Sequence, residues 1–211
     1  MTGGLQDRWE QVWQILDVQP PQAVFKQLIQ AYSAPDRFYH NLVHIADCLS
    51  IIDQTGTVAV HSEEVALAIW FHDVVYDTRQ SDNEHKSAEW AEAAVKQAGL
   101  SNAIAERVSF LILATRHNQE LTDRDAQFIV DVDLSILGRE AAVFWQYEEN
   151  IRKEYAWVPA HLFRQRRMEI LNGFLERRHI YYHRKFREIF EENARSNLTQ
   201  AIARLSDEIT A

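Results

Sequence analysis

Seven consecutive apolar residues, Val65 to Phe71, run without a break into His72 and Asp73 in the stretch VALAIWFHDVVYD. A helix built from that run is hydrophobic on every side, so it has no face to offer water and must pass through a core. It delivers a histidine and a carboxylate at or near its buried end. A buried carboxylate costs on the order of several kcal/mol unless it is paired, hydrogen-bonded or bound to a cation. Asp73 therefore needs a partner, and the segment alone leaves two: a hydrogen-bonded His–Asp pair, or a metal ion.

The rest of the chain has the materials to surround such a helix. Alternation of β-branched and polar residues is nearly absent, and only 4 prolines and 6 glycines interrupt 211 residues. The pattern predicts an all-α fold. Helices are expected over Leu5–Leu16, Ala23–Ala31, Tyr39–Asp53, Ser62–Asp73, Glu84–Gln97, Ser101–Arg116 and Arg124–Val132. Longer ones are expected over Glu140–Ala156, Pro159–Leu175 and His183–Leu205. Pro20-Pro21, a loop around Gly56 and a C-cap near Gly99 punctuate them, and Pro159 suits a first helical turn. No repeat, low-complexity tract or linker is visible. The economical expectation is one helical bundle domain over 1–211, with a core of about 23–140 and additional C-terminal helices of about 140–206 packed on it.

Charge narrows the partners. The formal net charge of −9 argues against general binding to nucleic acid or to an anionic membrane. Segment 151–187 runs the other way, with ten Lys or Arg against three Glu. It reads either as solvated helix faces or as a surface that meets a phosphate or a partner. The N-terminal MTGGLQDRWEQVW lacks a basic region followed by an apolar one, and no apolar run approaches a membrane span, so a cytoplasmic location is expected. The lone Cys48 is expected to behave as a small buried hydrophobe. The 6 tryptophans, Trp70, Trp145 and Trp157 among them, are expected in the core.

Two further stretches place chemistry in apolar surroundings. In YHNLVHIADCL, His40 and His44 are four apart, which on a helix puts both rings on one face; that is metal-ligand spacing and also ordinary amphipathic spacing. In QFIVDVDLSILG, Asp131 and Asp133 stand two apart inside an apolar run. Two adjacent carboxylates raise each other's pKa unless a cation lies near. One of them could instead cap the turn ahead of Leu134. Together these stretches offer two imidazoles and two carboxylates, a nitrogen and oxygen set suited to Mn, Fe, Co, Ni, Mg or Zn with positions left for water or substrate.

The order His44, His72-Asp73, Asp133 resembles that of the HD-domain superfamily of metal-dependent phosphohydrolases. The phrases YHNLVHI, AIWFHDVVYD, SDNEHKSA, DVDLSILG, EYAWVP and ENARSNL are similar to those of one bacterial subgroup of predicted HD phosphohydrolases. The opening phrase also looks like the YHNxxH of the cyclic-nucleotide phosphodiesterases, though the rest of that pattern is not found. The resemblance implies a helical HD-type bundle holding a divalent metal ion on His44, His72, Asp73 and Asp133, with Asp131 beside it or acting as a cap. It implies His40 as the general acid that protonates a leaving oxygen, and Asp73 as a bridge to a second metal where one is bound. His85 and His117 are the candidates for that second metal. Arg37 and Arg116 could pair with a phosphate through two hydrogen bonds each. Glu84, favoured by the dipole at a helix start, could also orient a water. His61, His161, His179 and His183 match nothing and read as structural or surface.

The expected activity is hydrolysis of a nucleotide or other small phosphate ester by metal-activated water. Two other readings share the ligands: a metal- or nucleotide-binding sensor or partner-binding module without catalysis, and a di-iron oxygenase, which needs more than four ligands. A purely structural bundle would have to satisfy Asp73, Asp131 and Asp133 by hydrogen bonds alone.

Overall fold

The structure is a computed structural model that describes residues 2–55, 58–117 and 120–210. Among the described residues every regular element is helical and none is a strand, as the sequence predicts. The loop expected around Gly56 lies outside the described residues, as do Asn118 and Gln119. Among the described residues no helix is long and apolar enough to cross a membrane. The chain divides into two compact units, Met1–Val132 and Asp133–Ala211.

The first unit holds α1 (Thr2–Ile15), α2 (Gln22–Tyr32), α3 (Leu42–Thr55), α4 (Ser62–Phe71), α5 (Asn83–Gln97), α6 (Asn102–Ala114) and α7 (Arg124–Asp133), the boundary falling before the last residue of α7. Its centre is α4. Every residue from Val65 to Phe71 is buried, with α1, α3, α5 and α6 packed around it. Aromatic rings seal the α1 side: Trp9 meets Trp70 edge to face at 5.4 Å and Trp13 at 5.2 Å, and Phe25 of α2 meets Trp70 at 5.9 Å. Such pairs add about 0.5–1.5 kcal/mol each beyond the area they bury. On the far side, the small residues Ala88, Ala91 and Ala94 of α5 are buried and let α6 approach closely. Gly99 at φ +100° turns the chain between these two helices, and the Ser101 hydroxyl accepts from the Ile104 amide to cap α6.

A second polar arrangement fixes the other end of α4. Asp125 of α7 is fully buried and accepts from the amides of Val60 (2.7 Å) and His61 (3.2 Å), beside His61 Nδ1 at 3.1 Å. Arg107 of α6 donates to Asp125 at 3.1 Å and grips both oxygens of Asp123 at 2.8 and 2.9 Å. Asp123 in turn caps α7 by accepting from the Ala126 amide. Burial alone would raise the pKa of Asp125, but these amides, the imidazole and the guanidinium outweigh it and hold the carboxyl below its ordinary value. Nearby Glu64 goes the other way, raised by burial against the pull of His61 and Arg107.

The second unit holds a 3-10 turn (Leu134–Gly138), α8 (Ala141–Glu154), α9 (Ala160–Leu175), the short α10 (Arg184–Phe186), a π turn (Arg187–Glu191) and α11 (Glu192–Thr210). The single helix expected over His183–Leu205 runs from Arg184 without a non-helical gap, its register slipping to π over Arg187–Glu191. At the end of this π turn the Glu191 carboxylate accepts from the amides of Ile180 and Tyr181 and from Arg195. Gly138 sits against this turn so closely that a Cβ there would lie 2.5 Å from the Phe190 carbonyl oxygen. Asn197 donates to the carbonyls of Leu137 and Arg139 at 2.9 Å each. Arg167 is buried against Glu148 in a two-pronged ion pair and donates to the Tyr147 hydroxyl at 2.8 Å. Trp157 departs from its expected core position, at 49% exposure. It stands in the turn between α8 and α9, where Arg152 binds the carbonyls of Tyr155 and Val158 and leaves the intervening ring outside. Pro159 takes the N-cap of α9 rather than its first turn.

Candidate metal centre

The site is built where α4 ends. His72 follows the last helical residue in right-handed helical geometry, and its Nδ1 donates to the Ile69 carbonyl at 2.9 Å, which leaves Nε2 turned into the site. Nε2 faces Nε2 of His44 at 3.1 Å and Asp73 Oδ2 at 3.0 Å. His44, from the first turn of α3, has its own Nε2 3.6 Å from the same oxygen. Both rings are nearly sealed from water, at 4% and 1% exposure. Asp133, at the end of α7, completes a trio with His44 and His72 whose ligand atoms all lie within 4.8 Å of one another.

These distances fit a cation. Around a metal with bonds of about 2.0–2.1 Å, adjacent ligands stand about 3.0 Å apart in an octahedron and about 3.3 Å apart in a tetrahedron. The 3.0, 3.1 and 3.6 Å separations are of that size. An acceptor nitrogen facing a carboxylate oxygen is repulsive unless a proton or a metal ion lies between them. The His44, His72 and Asp133 group, with its ligand atoms within 4.8 Å of one another, could hold a metal ion through nitrogen and oxygen donors. Burial would raise the pKa of Asp73, but the imidazoles of His72, His40 and His44 reverse that and hold it well below the usual carboxylate range.

Comparison with protein-family models, with curated proteins and with solved structures yields no match. The character of the site rests on the residues themselves.

His40 does not share a helix with His44, contrary to the predicted start at Tyr39. The Asn41 side chain accepts from the Val43 amide at 2.8 Å and so caps α3, which begins at Leu42. His40 is left in the preceding turn, stacked on Tyr76 at 4.1 Å with its ring centre 6.0 Å from that of His44. Tyr39 lies against both rings, at 4.9 and 4.8 Å. Nothing in the spacing of the sequence announces Tyr76 as a neighbour of His40.

The two aspartates of α7 separate. Residues two apart on a helix point to nearly opposite sides. Asp131 is fully buried, while Asp133 is half-buried and supplies the oxygen of the trio. Asp133 makes no side-chain cap to the 3-10 turn that follows it. Arg37 donates to three backbone carbonyls: Nη1 to His40 (3.1 Å) and Asp73 (2.6 Å), and Nη2 to Val74 (2.8 Å). Arg116 is exposed beyond the end of α6, and Glu84 is half-buried in the first turn of α5. His85 is an exposed residue of α5, 3.4 Å from Glu89. His117 follows α6 at φ +55°, a left-handed conformation uncommon for a side-chain-bearing residue. Cys48 is buried, its sulfur 3.7 Å from His44 Nδ1.

Proposed function

We propose that this chain is a metal-dependent phosphohydrolase acting on a nucleotide or other small phosphate ester. The observation that carries the reading is the convergence of His44, His72 and Asp133 within 4.8 Å of one another, with the Asp73 carboxylate 3.0 and 3.6 Å from the two imidazoles. A divalent cation held there supplies an activated water and polarises a phosphoryl oxygen. His44, His72 and Asp133 would hold the ion, and Asp73, beside both imidazoles, would add its charge at the same point. His40 lies outside the ligand trio but beside the His44 ring, where an imidazole can pass a proton to a departing oxygen. Its stacking on Tyr76 limits the directions in which it can do so.

The test is metal analysis of the purified protein, then a screen of nucleoside mono-, di- and triphosphates and a generic phosphate ester with that metal restored. His44→Ala should lose the metal. His40→Ala should keep it and slow turnover by about 10²- to 10⁴-fold, the usual worth of a general acid. Asp73→Ala should abolish metal-dependent hydrolysis with the fold retained. Undiminished turnover in the Asp73 variant sinks the assignment, and equal metal loss in the two histidine variants removes the distinction between them.

A further inference from the structure

The carbonyls at the end of α4 are satisfied one by one from side chains and turns. Ile69 is bound by His72 Nδ1, Trp70 by the Tyr32 hydroxyl at 3.1 Å, Phe71 by the Val74 amide at 3.0 Å, and Asp73 and Val74 by Arg37. A cation is favoured at a helix C-terminus, where the last carbonyls concentrate negative partial charge. Arg37 does more than close the helix, because the nitrogen that binds the Asp73 carbonyl also binds that of His40. One donor atom thus ties the turn carrying His40 to the turn carrying His72 and Asp73. The guanidinium carbon also lies 5.1 Å from the Tyr32 ring and 5.6 Å from the Tyr76 ring, and Tyr76 is the ring on which His40 stacks. Backbone and ring contacts from one side chain therefore bear on the placement of one imidazole.

We infer that Arg37 is a positioning residue, which sets where the His40 ring stands relative to the ligand cluster by clasping the backbones of both turns, and which does not itself bind phosphate. The inference rests on the proposed activity only for its kinetic consequence. Lysine keeps the charge at this position but lacks the planar fork needed to reach three carbonyls at once. An imidazole displaced by even about 1 Å transfers its proton poorly, with a loss on the order of a hundredfold.

The experiment compares Arg37→Lys and Arg37→Ala with the unaltered protein in three measurements. Metal content should be unchanged, since His44, His72 and Asp133 are intact. The ring resonances of His40 in histidine-labelled protein should move as its stacking on Tyr76 loosens, while those of the distant His61 stay in place. With a phosphate ester, kcat should fall by about ten- to a hundredfold while KM changes little. A rise in KM with kcat preserved would show a phosphate-binding arginine, and unmoved His40 resonances would show that Arg37 does not place that ring; either result overturns the inference. Should Arg37→Ala not fold, Arg37→Lys, which retains charge and a donor, carries the same comparison. Failure of the unaltered protein to hydrolyse any phosphate ester would refute the proposed activity and leave the resonance test of Arg37 standing.

Discussion

Asp125 offers a prediction whose size follows from its partners. Its replacement by alanine strands the Val60 and His61 amides, removes the anchor of the His61 ring and leaves Arg107 with Asp123 and the more distant Glu64 at 3.9 Å. Two orphaned amides at the low end of the usual penalty cost about 1 kcal/mol each, and one charge-assisted bond to arginine about 1.5–3 kcal/mol, part of which Asp123 retains. The expected loss is about 3–4 kcal/mol, large against the roughly 5–15 kcal/mol that holds a domain together. Asp125→Asn keeps one acceptor oxygen and loses the charge, for about half that loss. The pH dependence has a definite sign. The folded protein holds the Asp125 carboxyl below its ordinary value, so its contribution is complete above the unfolded pKa of about 3.9 and disappears as pH falls below that toward the folded value. Glu64, raised chiefly by burial, has the opposite slope and is present in both proteins, the Asp125 charge adding only a lesser part of that rise. Urea denaturation followed by circular dichroism at about pH 7 and about pH 3, on either side of that unfolded value, measures the difference. The gap between unaltered protein and Asp125→Asn should narrow at the acid pH. A loss below about 1 kcal/mol for Asp125→Ala, the cost of a single stranded amide, or a gap that stays constant with pH, refutes the reasoning.

Two other substitutions test packing in the second unit. Arg167→Met should cost about 3–5 kcal/mol in chemical denaturation, because Glu148 is left buried without its cation; adding Glu148→Leu should restore much of the loss, whereas additive losses would contradict a paired burial. Glycine-to-alanine exchange in a helix ordinarily stabilises by about 0.5–1 kcal/mol, which is expected at Gly173 in α9, where a Cβ meets nothing within 4 Å. At Gly138 the sign should reverse, to a loss of about 1–3 kcal/mol, since the obstructing atoms of Phe190 include backbone and cannot swing aside; equal melting temperatures for the two variants would refute the close approach.

The all-helical fold and the course of α4 were legible because seven apolar residues in a row admit few alternatives, and the same run placed His72 and Asp73 at a buried end. Ser101 and Gly99 announced their caps by residue type. The start of α3 was misplaced because hydrophobic spacing continues back to Tyr39, while the decisive signal was the capping capacity of Asn41. Arg37 and the Asp125 cluster were not legible as structural parts. Their partners are mostly backbone groups 36 to 65 residues away, and no side-chain pattern records which carbonyl or amide a fold will bring near. The π turn at Arg187–Glu191 carried no signal in the residue types of its own segment, although Glu191 within it takes the amides of Ile180 and Tyr181.

The bond from His72 Nδ1 to the Ile69 carbonyl gives one imidazole two tasks on its two edges. One edge finishes a helix; the other faces the candidate metal site. The first task is complete without the second, and the neighbouring carbonyls of Trp70, Asp73 and Val74 are secured by Tyr32 and Arg37 in the same way. Stripping the cation therefore should leave the scaffold standing with its rings already aimed, so that reloading is a matter of capture rather than refolding.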